Sequence, residues 1–370
     1  MHGAGNQERC SIPVTNPRGM AACLGLALCL WMPCLAYADG NLLAFPELGF
    51  EWNSGDDPDD AVFSPLLDVF GSAHRGRWNA LVEAIATDHD FHIERLHLGY
   101  DFSPASTLRL GRIHNPLSYW VMQYHHANYL RPSISSPESA RFDDDGGIFP
   151  SHLAGLLFST EQVLGERSID YTLALGTGPE LEGDHDSSGG GAKLHAIDLF
   201  RPGEGRHRFN ATARVALHLD NFGEDQVGAF VSRVRVPVAG TVYDAVNLSV
   251  GGAFLHWKRS SLALTGSLFL VRDVLEGAGE TRPRHFATGY LHADLPVQGY
   301  WTLFGRLERS FGEGGDPYVG LLAQFIARRD VAGVRWDFSA GQAVKLEFSN
   351  NHGLTGDFRQ ILLNWSAGFP

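Results

Sequence analysis

The feature that most constrains the fold is an alternation of apolar and polar residues at a period of two. In residues 206–220, apolar side chains from Phe209 to Leu219 occupy every second position, and Arg214 and His218 fall between them. Successive side chains of a strand point to opposite faces, whereas an amphipathic helix would show apolar spacings of three and four. The alternation therefore predicts β-strands with one apolar and one polar face.

About eighteen segments of roughly ten residues show this alternation, and polar turns separate them. They predict an all-β fold: a transmembrane antiparallel up-and-down β-barrel of about 16 strands, with 18 possible, because bacterial barrels have an even strand number. Pro46 and Pro65 interrupt the first two segments, so we expect one or both of these segments to form a plug or a periplasmic strap. Short connections, Arg329-Asp330 among them, predict tight turns. The segments lie at 42–52, 62–71, 78–88, 92–103, 106–114, 152–160, 167–176, 192–201, 206–220, 226–236, 246–257, 260–271, 284–295, 299–310, 317–327, 331–338, 343–349 and 356–369.

The first 38 residues predict a cleaved signal peptide, which leaves residues 39–370 as a single barrel domain. Arg9 and Arg18 precede an apolar run that ends near Leu35, and Ala36-Tyr37-Ala38 follows as a small-residue cleavage site. A single membrane anchor is the alternative, but the run is short for a span of about 20 residues. All four cysteines (Cys10, Cys23, Cys29 and Cys34) precede the expected cut, so no disulfide framework is available to the mature chain.

The last segment and the charge indicate which partners to expect. Apolar residues alternate from Ile361 to Phe369, and a final strand of this kind is what the barrel-assembly machinery of the outer membrane reads; Pro370 departs from the usual aromatic end. A formal net charge of −13 argues against nucleic acid as a partner. We therefore expect localisation in the outer membrane, contact with its lipid bilayer, and no cofactor.

Residues 115–150 form a connection too long for a hairpin turn and rich in aromatic residues. Long connections inside compact folds are usually functional, so we expect this one to fold into the lumen and constrict it. A metal site at its histidines and aspartates is the alternative, but adjacent residues rarely point at one ion. We expect polar pore lining instead, with no metal. The candidate constriction residues are Tyr119, Trp120, His125, His126, Asp143, Asp144 and Asp145.

The start of this loop resembles the phosphate-selective porin superfamily. The resemblance rests on Leu110-Gly111-Arg112 followed by Pro116-Leu117, and it extends through Tyr119-Trp120 and Asp144-Asp145-Gly146-Gly147. It implies a porin. The chain contains only three lysines, Lys193, Lys258 and Lys345, too few for a ladder of anion-binding lysines. Arginines could bind anions in their place.

The expected function is passive diffusion of small hydrophilic solutes or ions through a water-filled lumen. One alternative is a non-conducting barrel that serves as a binding or structural partner of a cell-envelope complex. A hydrolase is a further alternative, although no G-x-S-x-G motif occurs. The solute, its charge preference and the oligomeric state stay open; a homotrimer is one candidate. Side chains alternate between the two faces of a strand, and this alternation, here called strand parity, predicts which polar residues line the pore. The expected pore-lining residues are Arg95, His97, Arg109, Arg214, His218, Arg233, Arg235, Arg306, Glu308, Arg335, Asp337, Lys345 and Glu347.

Overall fold

A computed structural model describes residues 39–54, 61–124, 127–143, 146–183, 192–199, 205–220, 224–277, 282–322 and 324–370. These residues contain eighteen strands and two short helices, α1 (Tyr119–Gln123) and α2 (Pro317–Leu321). No helix among them is long and apolar enough to cross a membrane. The strands are β1 (Asp39–Asn53), β2 (Val62–Arg75), β3 (Trp78–Thr87), β4 (Phe91–Ser103), β5 (Ser106–His114), β6 (His152–Leu164), β7 (Arg167–Thr177), β8 (Glu180–Gly183), β9 (Ala192–His195), β10 (Phe209–His218), β11 (Gln226–Ala239), β12 (Tyr243–Arg259), β13 (Leu262–Gly277), β14 (Arg284–Pro296), β15 (Trp301–Phe311), β16 (Ile326–Ser339), β17 (Gln342–Gly353) and β18 (Asp357–Ala367).

Sixteen of these strands form a closed antiparallel barrel, which confirms the predicted fold class. The last strand pairs with the first, with Leu48 opposite Trp365, so the sheet has no free edge. Strand β7 pairs directly with β10 along its whole length. The two strands between them, β8 and β9, form a separate small hairpin that pairs with the end of β11.

Four details of the strand prediction were wrong. The first two segments are barrel strands, because β1 and β2 pair continuously from Asp39 to Glu51 despite one missing donor at each proline. Residues 192–201 contribute only to the small hairpin. Residues 317–327 begin with α2, whose first turn is capped by the Asp316 carboxylate on the backbone N–H groups of Tyr318 and Val319. Residues 329 and 330 lie inside β16, not in a turn.

The two ends of the barrel differ. One end, here called the terminal end, carries Asp39 and Pro370, where the described chain begins and ends, and the tight turns, such as Ala340-Gly341, where Gly341 has a φ of +76°. The other end, here called the loop end, carries the three long connections 115–151, 178–208 and 312–325. In transmembrane barrels the short turns face the periplasm and the long loops face the outside.

The outer surface is apolar and is bordered by aromatic side chains at both ends. At the terminal end the exposed rings of Trp301 and Trp336 stack with centroids 5.3 Å apart. At the loop end Phe63, Phe209 and Phe311 are each about 60% exposed. An apolar band between two aromatic girdles is the surface that a bilayer requires.

Much of the lumen is filled by an apolar core. Long-loop residues, including Trp120 and Phe142, pack with inward-facing rings of the wall and with Tyr318 of α2. Phe149 of the loop stacks on Phe269 of β13, with centroids 5.1 Å apart. The interior of this barrel is therefore divided between a packed core on one side and smaller polar spaces on the other.

Candidate functional site

The helix α1 fixes the beginning of the long loop against the wall formed by β12 to β15. The Ser118 hydroxyl caps this helix by accepting a hydrogen bond from the Val121 backbone N–H. Tyr119 stacks on His256 of β12 with centroids 4.1 Å apart. Trp120 is fully buried and packs edge-on against His292 of β14. Burial raises the pKa of Tyr119, so this ring remains neutral. Tyr119 and Trp120 are thus packing residues of the loop.

A buried arginine on the wall binds the middle of the loop. Arg306 of β15 donates hydrogen bonds to the Ser133 hydroxyl and the Ser135 carbonyl, both at 2.9 Å, and to the Ser135 hydroxyl at 2.6 Å. Its Nε pairs with Glu308 at 2.7 Å. Glu308 in turn accepts a hydrogen bond from the Glu138 backbone N–H. The predicted lumen pair Arg306 and Glu308 does face inward, but it holds the loop.

Three more predicted lumen residues hold the same stretch of loop. Lys345 of β17 donates to the carbonyls of Asn128, Arg131 and Ser133. Glu347 accepts hydrogen bonds from the backbone N–H groups of Ile134 and Ser135. Arg335 of β16 donates to the carbonyls of Tyr129 and Arg131 and pairs with Asp337.

The end of the loop is fixed by a buried charged network on β4 to β6. His152 lies between Asp143, 3.2 Å from Nδ1, and Glu94, 2.6 Å from Nε2. The Asp143 carboxylate also accepts a hydrogen bond from the Ser151 backbone N–H. Glu94 faces inward because it is the extra residue of a bulge: Arg95 is opposite Glu83, Ile93 is opposite the next residue, Ala84, and Glu94 between them has no register partner. Regular alternation along β4 could not predict that Glu94 faces inward, because the bulge interrupts that alternation.

The polar space left by the loop is a crevice, here called the β1 crevice, between residues 128–141 and the strands β1, β2, β16 and β18. Its inner part has a volume of about 280 Å³ and continues towards the loop end into a second part of about 300 Å³. Both parts are lined by Glu51, Arg141, Arg329 and Gln360, which makes them one continuous path. The path passes Thr355, in the turn between β17 and β18 at the loop end.

Opposite charges line the β1 crevice from opposite sides. Strand β1 contributes Glu47 and Glu51, and the loop contributes Arg131 and Arg141. Glu51 is held in place by the side-chain amides of Asn53, at 2.8 Å, and Gln360, at 2.7 Å. Arg131 donates to the Ser136 hydroxyl at 2.8 Å. These positioned charges create a transverse field across the path.

A buried glutamate stands behind the arginines of the crevice. Glu138 pairs with Arg141 at 3.2 Å and lies 3.9 Å from Arg329. Burial raises the pKa of Glu138 above its usual value, and the positive charges of Arg141 and Arg329 oppose that shift. The charge on this side chain therefore controls how far Arg141 is neutralised.

A second cavity of about 240 Å³ lies beside α1 and brings together Arg95, His97 and Arg109. These residues share it with His114 and with Met122 of α1. Arg95 forms an ion pair with Glu83. The sequence prediction placed these three basic residues on the strands flanking the long loop, and the structure brings them into one space.

The remaining predicted residues have other positions. Arg214 faces inward and bonds Gln226 at 2.7 Å, and His218 pairs with Asp170. Arg233 and Arg235 were predicted to face the lumen, and this was wrong: both are exposed on the outer surface, on the same face of β11 as Val231. The lumen side of β11 carries Phe230, Val234 and Val236. His125, His126, Asp144 and Asp145 lie outside the described residues, as does the expected signal peptide 1–38.

Sequence reasoning missed the charges of the β1 crevice. Glu47 and Glu51 occupy alternate positions and so share one face of β1, but that segment was expected to form a plug or a periplasmic strap and not a strand of the barrel wall. Arg329 was assigned to a turn. Arg131 and Arg141 lie on a loop, where no periodicity indicates the direction of a side chain. Within the described part of the chain, no group of three or more histidine, cysteine or acidic residues is arranged to hold a metal ion.

Comparison with solved structures identifies the fold as that of outer-membrane porins. The outer-membrane channel DcaP of Acinetobacter baumannii superposes with a TM-score of 0.60 at 12% identity, covering 90% of this chain and 98% of that one. The anion-selective porin of Comamonas acidovorans superposes with a TM-score of 0.57 at 13% sequence identity, and the match covers 90% of this chain and 100% of that one. OmpF of Salmonella typhi, in complex with daunomycin, superposes with a TM-score of 0.57 at 11% sequence identity, and the match covers 90% of this chain and 98% of that one. No family model matches the chain, and no curated protein matches it in sequence.

Proposed function

We propose that this protein is an outer-membrane porin that lets small hydrophilic solutes or ions diffuse passively along the β1 crevice. The observation that carries the proposal is the arrangement of Glu47 and Glu51 on the wall opposite Arg131 and Arg141 on the loop. Positioned charges along a narrow polar path select solutes by charge and by orientation without consuming energy. The likeness in fold to solved channels and porins supports this proposal.

The proposal includes the route to the membrane and the assembly of the barrel. Residues 1–38 direct export and are removed, and the terminal end faces the periplasm. The barrel-assembly machinery recognises the alternating final strand β18 and the nearby Phe369. Bilayer lipid covers the apolar band, and three copies assemble as in many porins. The resemblance of residues 110–117 to phosphate-selective porins suggests anionic solutes, with arginine in the place of lysine.

Two other functions compete with passive diffusion. The packed core of the lumen favours a non-conducting barrel that serves as a structural or binding partner in the envelope. A hydrolase would need a nucleophile, a base and an orienting acid in series. The most similar set, Ser151, His152 and Asp143, lacks that order, because the serine hydroxyl and the aspartate both contact Nδ1 of the histidine.

A cysteine placed in the β1 crevice tests the pore directly. The expected mature chain has no cysteine, so a single introduced thiol is unique. Gln360 lines both parts of the crevice, whereas its neighbour Ile361 is 38% exposed on the outer face. The variants Gln360→Cys and Ile361→Cys are reconstituted in planar bilayers, and single-channel currents are recorded before and after a negatively charged, thiol-reactive sulfonate reagent is added.

We expect discrete conductance steps from both variants before labelling. The reagent should cut the current of Gln360→Cys by more than half and leave Ile361→Cys unchanged. Folded, membrane-inserted protein without conductance would reject the pore and favour the structural partner. An equal effect on both variants would show that ions do not follow the β1 crevice.

A further inference from the structure

Basic side chains cluster on the outside of the barrel at the loop end of β11 to β14. Arg233 and Arg272 are register partners of the same residue, Ser249 of β12, from its two sides. His285 is the register partner of Arg272 on β14. Arg235 lies one outward position beyond Arg233. All four side chains are exposed, and together they are here called the outer basic patch.

The outer basic patch begins where the apolar band ends. The outward positions just below it are Val231, 61% exposed, and Leu270, 57% exposed. On β12, Ser249 lies between the two arginines of the patch, and Trp257, near the terminal end, is eight positions further along the strand. At a rise of ~3.4 Å per residue this is about 27 Å along the strand, and roughly 20 Å along the barrel axis after strand tilt. The apolar band of transmembrane barrels is about 25 Å tall, so the patch lies at the border between this band and the lipid headgroups.

The charge of the patch is largely uncompensated. Among the described residues, the acidic side chain paired with the patch is Glu276, which binds Arg235 and accepts a hydrogen bond from the Asn247 amide. Within the described residues, neither Arg233 nor Arg272 has an acidic partner. A comparable exterior pair on the next two strands, β15 and β16, differs: Arg309 and Arg328 both bind Asp330, at 2.6 and 3.0 Å.

We propose that the outer basic patch binds the phosphate-bearing headgroup of a lipid in the outer leaflet. Guanidinium groups bind phosphate oxygens through paired hydrogen bonds and hold them better than an ammonium group does. Arg233 and Arg272 stand two strand spacings apart, roughly 10 Å, so one headgroup with two phosphates can span them. Acyl chains would lie on the adjacent apolar band. The inference rests on the proposed membrane orientation and does not require that the barrel conducts.

The test uses the purified mature barrel in detergent. Diphosphorylated lipid A and its enzymatically dephosphorylated form are titrated separately, and native mass spectrometry counts the bound lipid. The patch variant is Arg233→Gln with Arg272→Gln. The matched control is Arg309→Gln with Arg328→Gln, which removes the same charge from an exterior pair already bound to an acidic residue. The oligomeric state is read from the same spectra, and inorganic phosphate is titrated as a competitor.

The patch variant should bind diphosphorylated lipid A roughly 30-fold more weakly, because each of the two lost arginines contributes about as much as one basic residue at a membrane surface. The affinity of the control variant should change by less than threefold. Equal losses in both variants, or displacement by inorganic phosphate at similar concentrations, would overturn the proposal. The proposal would also be overturned if the patch variant changed its oligomeric state and kept its lipid binding, because the patch would then be a contact between copies of the chain. Normal lipid binding by a barrel without conductance would reject the porin function alone.

Discussion

The buried ammonium group of Lys345 donates a hydrogen bond to the backbone carbonyl of Arg131, 2.7 Å away. The same group also bonds the carbonyls of Asn128 and Ser133. One side chain of the wall therefore positions the loop segment whose arginine lines the β1 crevice. Inward-facing charges in this barrel act first on the loop, and the loop then presents the charges that solutes meet.

Replacing Lys345 should enlarge the path. In Lys345→Met, three buried carbonyls lose their donor, and each unsatisfied group costs about 1–3 kcal/mol. We expect a larger single-channel conductance with more open-state noise, because the segment 128–133 leaves the wall. The matched control is Lys258→Met, an exposed lysine near the terminal end that pairs with Glu224. Unchanged conductance in Lys345→Met would mean that this segment does not limit the current.

Removing one partner of the buried pair Arg306 and Glu308 should destabilise the barrel strongly. A buried charge left without its partner costs about 3–5 kcal/mol. Urea unfolding of Arg306→Met in detergent should show this loss, and the double variant Arg306→Met with Glu308→Leu should recover part of it. The control is Arg309→Met on the exterior, whose change should stay near 1 kcal/mol. A double variant no more stable than the single variant would contradict the coupling.

Neutralising the two sides of the crevice should shift ion selectivity in opposite directions. Glu51→Gln removes a negative charge, so the reversal potential in a salt gradient should move towards anion preference. Arg131→Gln should move it towards cation preference. Glu166→Gln, in an exposed turn at the terminal end, serves as the control and should have no effect. Shifts of the same sign in both crevice variants would be incompatible with a transverse field.

Selectivity should also depend on pH through Glu138. Its pKa is raised by burial, so it takes up a proton at higher pH than an ordinary glutamate with a pKa of 4.5. Protonation leaves Arg141 less neutralised, and anion preference should therefore increase as the pH falls. Glu138→Gln should show the low-pH selectivity at every pH. If the variant follows the same pH profile as the native chain, another group is responsible.

The outward apolar face should tolerate charge only near its borders. Leu268 lies in the middle of the outer face of β13, and Val274 lies near the loop end on the same face. An arginine at the bilayer midplane costs about 2–4 kcal/mol, and near the interface about 0–1 kcal/mol. Unfolding from lipid vesicles should show this difference between Leu268→Arg and Val274→Arg. Equal costs would argue that bilayer lipid does not surround this face.

The sequence predicted the strands well because the direction of a side chain in a strand is a local property. Parity placed Arg214, Arg306, Arg335 and Lys345 on the inner face, and the structure has them there. The fold class and the position of the long loop inside the lumen could also be predicted from the sequence. This alternation failed as a guide where the backbone departs from it, as at the bulge that contains Glu94.

Only the tertiary structure decided which face of β11 is the inner one. Its alternation was read as apolar outside and polar inside, yet Val234 and Val236 point inward and Arg233 points outward. The physical reason is that packed loop residues make this part of the lumen apolar, while the outer surface at that height lies at the border of the apolar band. The pattern of a strand fixes two faces, but what covers each face depends on residues far away in the chain.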